Sequence, residues 1–472
     1  MSEQIIPVRD TEALRFELLQ RRKVYENEWE DILERELASI FVDEIWAKLK
    51  LLNDTSQNIF RRIVREICTV YKEPASRIVG PEGATETDPR YAEIAEGTNL
   101  DVLMAEAHRL SKATTASFLH VRTSEDLGEV RVHIYTPDQV HVETHPDDPG
   151  RLESFAYMFQ FGKTGRAWVY YDRERRLFLN ASGQKLERHP VTGESYEQDN
   201  KYGVVPVVPV PAVFPIREFW RPAWNRDAYR ANLIIGVLET FANNLVKNNS
   251  FKQIWLTGDR LDEKLQNQIL DTTTPLHLGR DGKAGTLDLT SAALGQIEEA
   301  ITRKVQAIAN NYGISAQDFA ITGNVQSGFA LQIRNRALEE IRQSDIPLFE
   351  SVERRLFETI RTVNNADFPD RQISEDAVLQ WSPGEVAFPV PIDEELKRWE
   401  FEFKHRVSSP VDYLTSQNPD MQREEAMERL EVVREENRRL GVQRSALADV
   451  LGRRTVGAGP AGTPAADEGS GE

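Results

Sequence analysis

Residues 318–341 read DFAITGNVQSGFALQIRNRALEEI, and where this stretch is cut decides how the rest of the chain is laid out. Gly323, Asn324 and Gly328 fall in a short polar loop between two helical patterns. Before it, Ile297, Ile301, Val305, Ile308 and Tyr312 recur at the spacing of one helix face. After it, Ala330, Ile333, Ala337, Ile341, Leu348, Val352 and Ile360 carry a similar stripe well past an average helix length. Ser327 stands at the entry of the second helix, where a hydroxyl caps free backbone N–H groups. Pro347 lies inside the long helix. It lacks an amide donor and crowds the preceding turn, which predicts a kink. The loop offers no nucleophile beside a base and reads as a mechanical part.

Working outward, a second long helix is expected to start near Pro222, a tolerated first-turn proline. Its stripe is Ala231, Ile234, Leu238, Phe241 and Leu245, with Asn232, Asn243, Asn244, Asn248 and Asn249 elsewhere. About thirty residues at about 1.5 Å each make a rod of roughly 40 Å. Between the two rods lies an insertion, Ile254 to Thr290, in which QIWLTG, PLHLG and GTLDL read as strands and DEKLQNQIL as a short helix. So small an α/β element cannot build a large core alone and is expected to pack against copies of itself.

On the N-terminal side, Asp10 to Tyr71 has a helical pattern of one or two long helices and a further one through Ile59, Ile63, Ile67 and Val70. Pro74 to Pro89 is rich in Gly, Pro and acids and reads as an exposed loop; Asn99 to Lys112 returns to helix. SFLHV, VRVHIYT, VHVET, SFAYMFQF, AWVYYD and RLFLNA are short β-branched and aromatic runs separated by turn residues, the signature of a mostly antiparallel sheet. VVPVVPVPAVFP (204–215) has too many prolines for an interior strand and reads as an extended crossing segment. Beyond Asn364 comes a proline-rich irregular segment containing Trp381 and Phe388. Two charged helices follow, Glu394 to Arg406 and Met421 to Leu440, the latter bracketed by Asn418 and Gly441. From Gly457 the chain lacks the apolar content to fold.

The net charge of −18, from 76 acids against 58 bases, excludes tight wrapping of nucleic acid, which needs a basic surface to displace counterions. It allows weak, sliding contact along an acidic wall. No run reaches the length of a membrane span, and MSEQIIPVRDTEALRFELLQ lacks the apolar core of a signal peptide. The single cysteine, Cys68, excludes an intramolecular disulfide, fits a reducing cytosol and reads as a small apolar residue on a helix face. FGKTG at 161–165 invites a phosphate-loop reading, but the glycine required five residues before Gly162 is Tyr157. His133, His141 and His145 with Asp147 and Asp148 suggest metal ligands at first sight. In a strand, however, a four-residue step spans about 13 Å, so strand-face histidines are expected. Asp393, Glu394 and Glu395 belong to an acidic first helical turn rather than to a nuclease site. No catalytic, cofactor-binding or metal-binding residue is assigned, and the chain is not expected to be an enzyme.

The segment Phe319, Gly323, Asn324, Ser327, Gly328, Ala330, Leu331 spells F-x-x-x-G-N-x-x-S-G-x-A-L before a long helix. It resembles the portal (head-to-tail connector) proteins of tailed double-stranded DNA bacteriophages. KYGVVPVVPV (201–210) is similar to that family's N-P-F-G-x-V-P-V-V segment, departing from it at Lys201-Tyr202. The resemblance implies an α+β portal-type fold: a helical and β wing (1–221), a first stem helix (222–253), a small α/β clip (254–292) and a second stem helix (293–317). A tunnel loop (318–328), a long kinked helix returning to the wing (329–393), a helical crown (394–452) and a disordered tail (453–472) follow.

It further implies a homo-oligomeric ring of about twelve copies at one capsid vertex, passing DNA and docking terminase and a head-completion adaptor. Major capsid and scaffold proteins are further implied partners, and the place of action is the virion, after assembly in the host cytoplasm. Phe319, Thr322, Gly323, Asn324, Val325, Gln326, Ser327 and Gly328 would line the channel. Trp255, Asp259, Arg260, Asp262, Glu263, Lys264, Arg280, Asp281 and Lys283 would meet partners at the clip. Two alternatives stay open at this point: a portal-like ring of a gene-transfer particle, and a metal-dependent nucleic-acid enzyme using His141, His145 and Asp148.

Overall fold

The computed structural model describes residues 12–40, 52–124, 128–161, 165–191, 193, 195, 197–250, 253–257, 283–287, 292–314, 328–385, 392–418 and 421–439. The chain forms two compact units, Met1–Phe388 and Pro389–Glu472. The mixture of helix and sheet is of the α+β kind, and no described helix is long and apolar enough to cross a membrane.

The first unit opens with helices α1 (Glu12–Glu26), α2 (Glu30–Ile40) and α3 (Ile59–Ile67). The break between α1 and α2 falls at Asn27, whose φ of 69° lies in the left-handed region that Asn tolerates. Asn58 ties this corner to α3. Its Nδ2 donates to the Val24 carbonyl at 2.6 Å, while its Oδ1 accepts the Arg61 amide at 2.9 Å as an N-cap. Two further helices, α4 (Pro89–Thr98) and α5 (Leu100–Thr114), precede the sheets. Asp88 caps α4, with Pro89 at its first position.

Two antiparallel sheets follow. One has three strands ordered β3-β2-β9, with β2 Ala116–Ser124, β3 Glu129–Tyr135 and β9 Val207–Pro211. The other has five in sequence order: β4 (Val140–His145), β5 (Asp148–Phe161), β6 (Gly165–Tyr171), β7 (Arg175–Asn180) and β8 (Glu197–Asp199). The 204–215 segment is therefore more than a crossing segment. Its central residues pair with β2, Pro209 opposite Phe118 and Pro211 opposite Ala116. The prolines are accommodated because β9 is an edge strand. Phe118 and Phe219 meet Phe155, Tyr157, Tyr171 and Phe178 in the apolar layer between the sheets.

Helix α6 (Arg226–Ser250) begins four residues later than the sequence suggests. Pro222 precedes it in a turn, its carbonyl taken by the Arg21 guanidinium. At 25 residues α6 spans about 37 Å. Strand β10 (Gln253–Thr257) follows it and pairs antiparallel with β11 (Lys283–Leu287), which leads into α7 (Ala292–Asn311). Thus α7 ends short of residue 317.

Helix α8 (Gly328–Asp367) runs as one 40-residue element through Pro347. After it, β12 (Val378–Ser382) pairs with β1 (Ser76–Gly80), register Arg77 to Trp381. Both strands lie where the sequence suggested irregular chain, an exposed loop in one case and a proline-rich segment in the other.

Three cores result. Trp29, Leu33, Leu37, Phe60, Ile63 and Val64 pack with Ala231 and Ile235 of α6 and with Ile301, Val305 and Ile308 of α7. A Cβ at Gly236 would stand 2.9 Å from the Trp29 ring, so glycine lets α6 approach α2 closely. Phe349, Val352, Leu356, Phe357, Ile360 and Val363 of α8 fill the space over the three-stranded sheet, α4 and α5. The third core is the layer between the sheets. Cys68 is buried in the first core, and burial pushes its thiol above the usual range.

The second unit has helices α9 (Ile392–Lys404), α10 (Pro410–Gln417) and α11 (Arg423–Arg439). Helix α10 opens on a Ser409–Asp412 capping box. Asn418 closes α10 through its N–H to the Leu414 carbonyl instead of opening the next helix. Trp399 is buried against the Phe403 and Tyr413 rings.

Candidate functional site: the helical hairpin and the α7–α8 junction

The base of the hairpin is fixed by charge. Arg21, fully buried, donates to the Trp224 carbonyl at 2.7 Å and to Glu17 at 2.6 Å, and Glu17 also accepts from Arg226 at 2.8 Å. Burial pushes the Glu17 carboxyl up, but the hydrogen bonds from Arg226 and Arg21 outweigh it and hold it below its ordinary range. Across the hairpin, Tyr312 just beyond α7 donates its hydroxyl to Asp227 in the first turn of α6 at 2.6 Å, so the two helices run antiparallel.

Further along α6 the fastening is by single hydrogen bonds rather than ion pairs. Asn232, fully buried, caps α3 by accepting the Phe60 amide at 3.2 Å. Asn243 donates to Asp54 at 3.0 Å, Thr240 Oγ1 accepts the Asp54 amide at 3.2 Å, and Gln57 donates to Glu239 at 2.8 Å. The Glu239 carboxyl is raised, first by burial and then by the neighbouring acids Asp54 and Glu298. The asparagines that the sequence left without a task on this helix thus include two that fasten it to the body.

At the far end, β10 and β11 pair only with each other among the described residues, Trp255 opposite Gly285 and Thr257 opposite Lys283. Trp255 and Lys283 are therefore on neighbouring strands of one ribbon. Asp259, Arg260, Asp262, Glu263, Lys264, Arg280 and Asp281 lie outside the described residues, as do Phe319, Thr322, Gly323, Asn324, Val325, Gln326 and Ser327; the PLHLG strand, the DEKLQNQIL helix and residues 453–472 do too. Gly328 is the first residue of α8.

The α7–α8 junction borders a cleft of about 1020 Å³ between the 212–225 segment, the end of α7 and the α8 turns at 337–348. Gly313 turns the chain there at φ 64°, and a Cβ on it would meet Ala337 at 3.3 Å. Beneath the cleft, buried Lys112 donates to Asp345 and to the Ala212 carbonyl, both at 2.8 Å. His108 Nε2 stands 3.4 Å from Asp345. Burial pushes the imidazole down to about 4, leaving it neutral. Burial works to raise the Asp345 carboxyl, yet His108 and Lys112 bring it below the ordinary range.

This pair is one rung of a polar series along α8 that the apolar periodicity concealed. Arg342 donates to the Gly384 carbonyl at 2.6 Å. Glu353, fully buried, takes Arg77 at 2.7 Å and Tyr71 at 2.9 Å. Asn364 accepts from Arg90 at 2.9 Å, and Asp367 holds Lys201 at 2.5 Å and Tyr202 at 3.1 Å. Sliding α8 by one turn, about 5.4 Å, would unpair all of these, so its register against the rest of the first unit is fixed.

The histidine candidates are strand residues. His141 is buried on β4 with Nε2 3.9 Å from Glu143, and His145 stands at the strand end, opposite Asp148 and 3.8 Å from Glu153. Among the described residues no three His, Cys, Asp or Glu side chains converge as a metal site.

The described residues thus form an α+β body carrying a long helical hairpin with a self-paired ribbon at its far end. Residues 12–374 match the family model described as "Phage portal protein, SPP1 Gp6-like", and the chain belongs to that family of phage portal proteins. Among solved structures, it is similar to a chain of the virion of a native gene transfer agent (GTA) particle. The identity is 12%, with 78% of this chain and 91% of that one covered and a TM-score of 0.45. A chain in the neck of the empty GTA particle, computed with C6 symmetry, is 13% identical over the same shares at a TM-score of 0.46. One in the neck of the native particle with C12 symmetry is 11% identical over 77% and 89% at 0.37. No curated protein matches the chain.

Proposed function

We propose that about twelve copies of this chain close into a ring around a channel through which double-stranded DNA enters and leaves a capsid at one vertex. Family membership, with a match continuous from residue 12 to residue 374 and so spanning both hairpin helices and all of α8, carries this reading. Residues 1–221 serve as the wing, 222–253 and 293–317 as stem helices, 254–292 as the clip, 318–328 as the tunnel loop and 394–452 as the crown. Trp255 and Lys283 on the ribbon, with Asp259, Arg260, Asp262, Glu263, Lys264, Arg280 and Asp281, form the docking tip for terminase and later for a head-completion adaptor. The wing meets capsid and scaffold proteins.

With a net charge of −18, the channel wall repels phosphates, so DNA slides rather than sticks. Asn324 and Gln326 touch the backbone only through neutral hydrogen bonds, and changing both to alanine is expected to slow packaging; unchanged packaging would remove them from that role. The subunit hydrolyses nothing itself.

The test of the ring is electron microscopy of the purified protein with mass by light scattering. A ring with a central hole and near twelve times 53.8 kDa supports the reading. A compact monomer that stays monomeric at high concentration, with or without scaffold, overturns it.

A further inference from the structure

A closed ring of identical subunits needs two different faces on each subunit, one complementary to the other. Resting on the ring reading above, we infer that two exposed features of the first unit are such a pair. The protrusion Phe214–Pro215–Ile216 of one copy would seat in the groove between α1, α2 and α6 of the next.

The protrusion is held rigid while its apolar side chains face water. On one side Ala212 hydrogen-bonds to the Thr115 carbonyl, continuing the β9 pairing. On the other, Phe219 is buried against Phe118 and Trp220, at ring distances of 5.8 and 4.9 Å. Pro215 between them is buried, yet Phe214 is 61% and Ile216 72% exposed. A preorganised aromatic and a branched aliphatic side chain displayed together have the composition of an interface anchor.

The groove, about 520 Å³, is floored by Tyr229 and Leu233. It is edged by Phe16 and Ile234, themselves 53% and 44% exposed. Charges match as well. The protrusion runs on into exposed Arg217 and Glu218, and the groove rim carries exposed Glu36 and Arg230. None of these four forms an ion pair within the chain among the described residues, so each face offers one cation and one anion to a partner. A second copy of this chain presents the required apolar pair and both charges at once.

The chain's sole cysteine, Cys68, is buried, so surface cysteines can be placed on a silent background. In full-length protein, Ile216→Cys with Ile234→Cys and a short bismaleimide is expected to give a ladder of covalent multimers, while either variant alone gives none. A second measurement uses Phe214→Ser, which touches no core. Since the phenyl ring is lost from every interface, the concentration at which rings form should rise about tenfold. Rings seen by microscopy that neither ladder in the double variant nor weaken with Phe214→Ser overturn this interface and leave the ring standing. Dimers from a single-cysteine variant also overturn it, because they mean a self-complementary contact. A wild-type protein that forms no rings overturns the ring reading and this inference together.

Discussion

The later half of α8 and the α6–α7 hairpin are both built from long helices, yet they are held by different forces. There α8 is keyed by buried charge: Asp345 to Lys112 and Glu353 to Arg77. Along the shaft of the hairpin the fastening is an apolar seam, Ile235 with Ile301 and Val305, helped by neutral bonds such as Asn232 to Phe60. Buried ion pairs tolerate no slip, because displacement leaves a charge unsolvated and unpaired. An apolar seam with neutral hydrogen bonds loses much less for a small tilt. The body around α8 is thus fixed, and the hairpin shaft is the part able to adjust to neighbours.

The largest effect expected from this contrast is at buried Glu353. Glu353→Ala leaves Tyr71 buried without its acceptor and Arg77 with Asp101 alone, and a loss of about 3 kcal/mol, the lower end for breaking such a pair, is expected. Urea unfolding of the variant measures it. A loss below about 1 kcal/mol, the scale of an exposed pair, would mean that charge does not key α8.

The hairpin's counterpart is steric. Gly236→Val would drive methyl groups into the Trp29 ring, already only 2.9 Å from an added Cβ. Overpacking of this kind costs about 1–3 kcal/mol. An unchanged midpoint would show that the α6–α2 seam yields freely, sharpening the claim that the hairpin is compliant.

Acid separates the two regions further. His120 is buried on β2 among Tyr135, Phe155, Tyr157 and Tyr171, and burial, with Arg122, His133 and Arg176 nearby, pushes it well below its ordinary value. His108 is lowered to about 4, first by burial. Both bind a proton more readily unfolded than folded, so their contribution is intact above about 6.5 and is lost as pH falls below it. Each should cost on the order of 1–2 kcal/mol of stability between pH 7 and 5. His120→Phe, which suits the aromatic surroundings, should flatten that acid limb. A variant with an unaltered pH profile would place the acid sensitivity elsewhere.

How much of this was readable in the sequence depends on how far away the deciding partner lies. The two hairpin helices and the long helix announce themselves by local periodicity, and SFLHV through RLFLNA by β-branched and aromatic runs. Ser76–Gly80 and Val378–Ser382 do not, because each becomes a strand only by pairing with a segment some three hundred residues away. The prolines of Val207–Pro211 exclude an interior strand, as found, but that the segment pairs at an edge is a property of the sheet. The polar series on α8 was hidden for the same reason. Glu353 and Asn364 look like solvent-facing residues until Arg77 and Arg90 are brought against them. Of the candidate site, the hairpin and its ribbon were legible, while the fastening of α6 by Asn232 and Asn243 was not.

The smallest expected effect tests the contrast from the other direction. Ile234 projects from α6 away from the Ile235 seam and is 44% exposed. Ile234→Ser removes only a partly covered side chain within one subunit, so the unfolding free energy should fall by no more than about 1 kcal/mol. If the hairpin's outer face is a surface completed by a neighbouring copy, the same substitution should nevertheless weaken assembly. A variant equally stable but slower or weaker to assemble separates the two kinds of burial, inside a subunit and between subunits. If stability falls with assembly in proportion, Ile234 belongs to the subunit's own core, and the hairpin is no less self-sufficient than the body around α8.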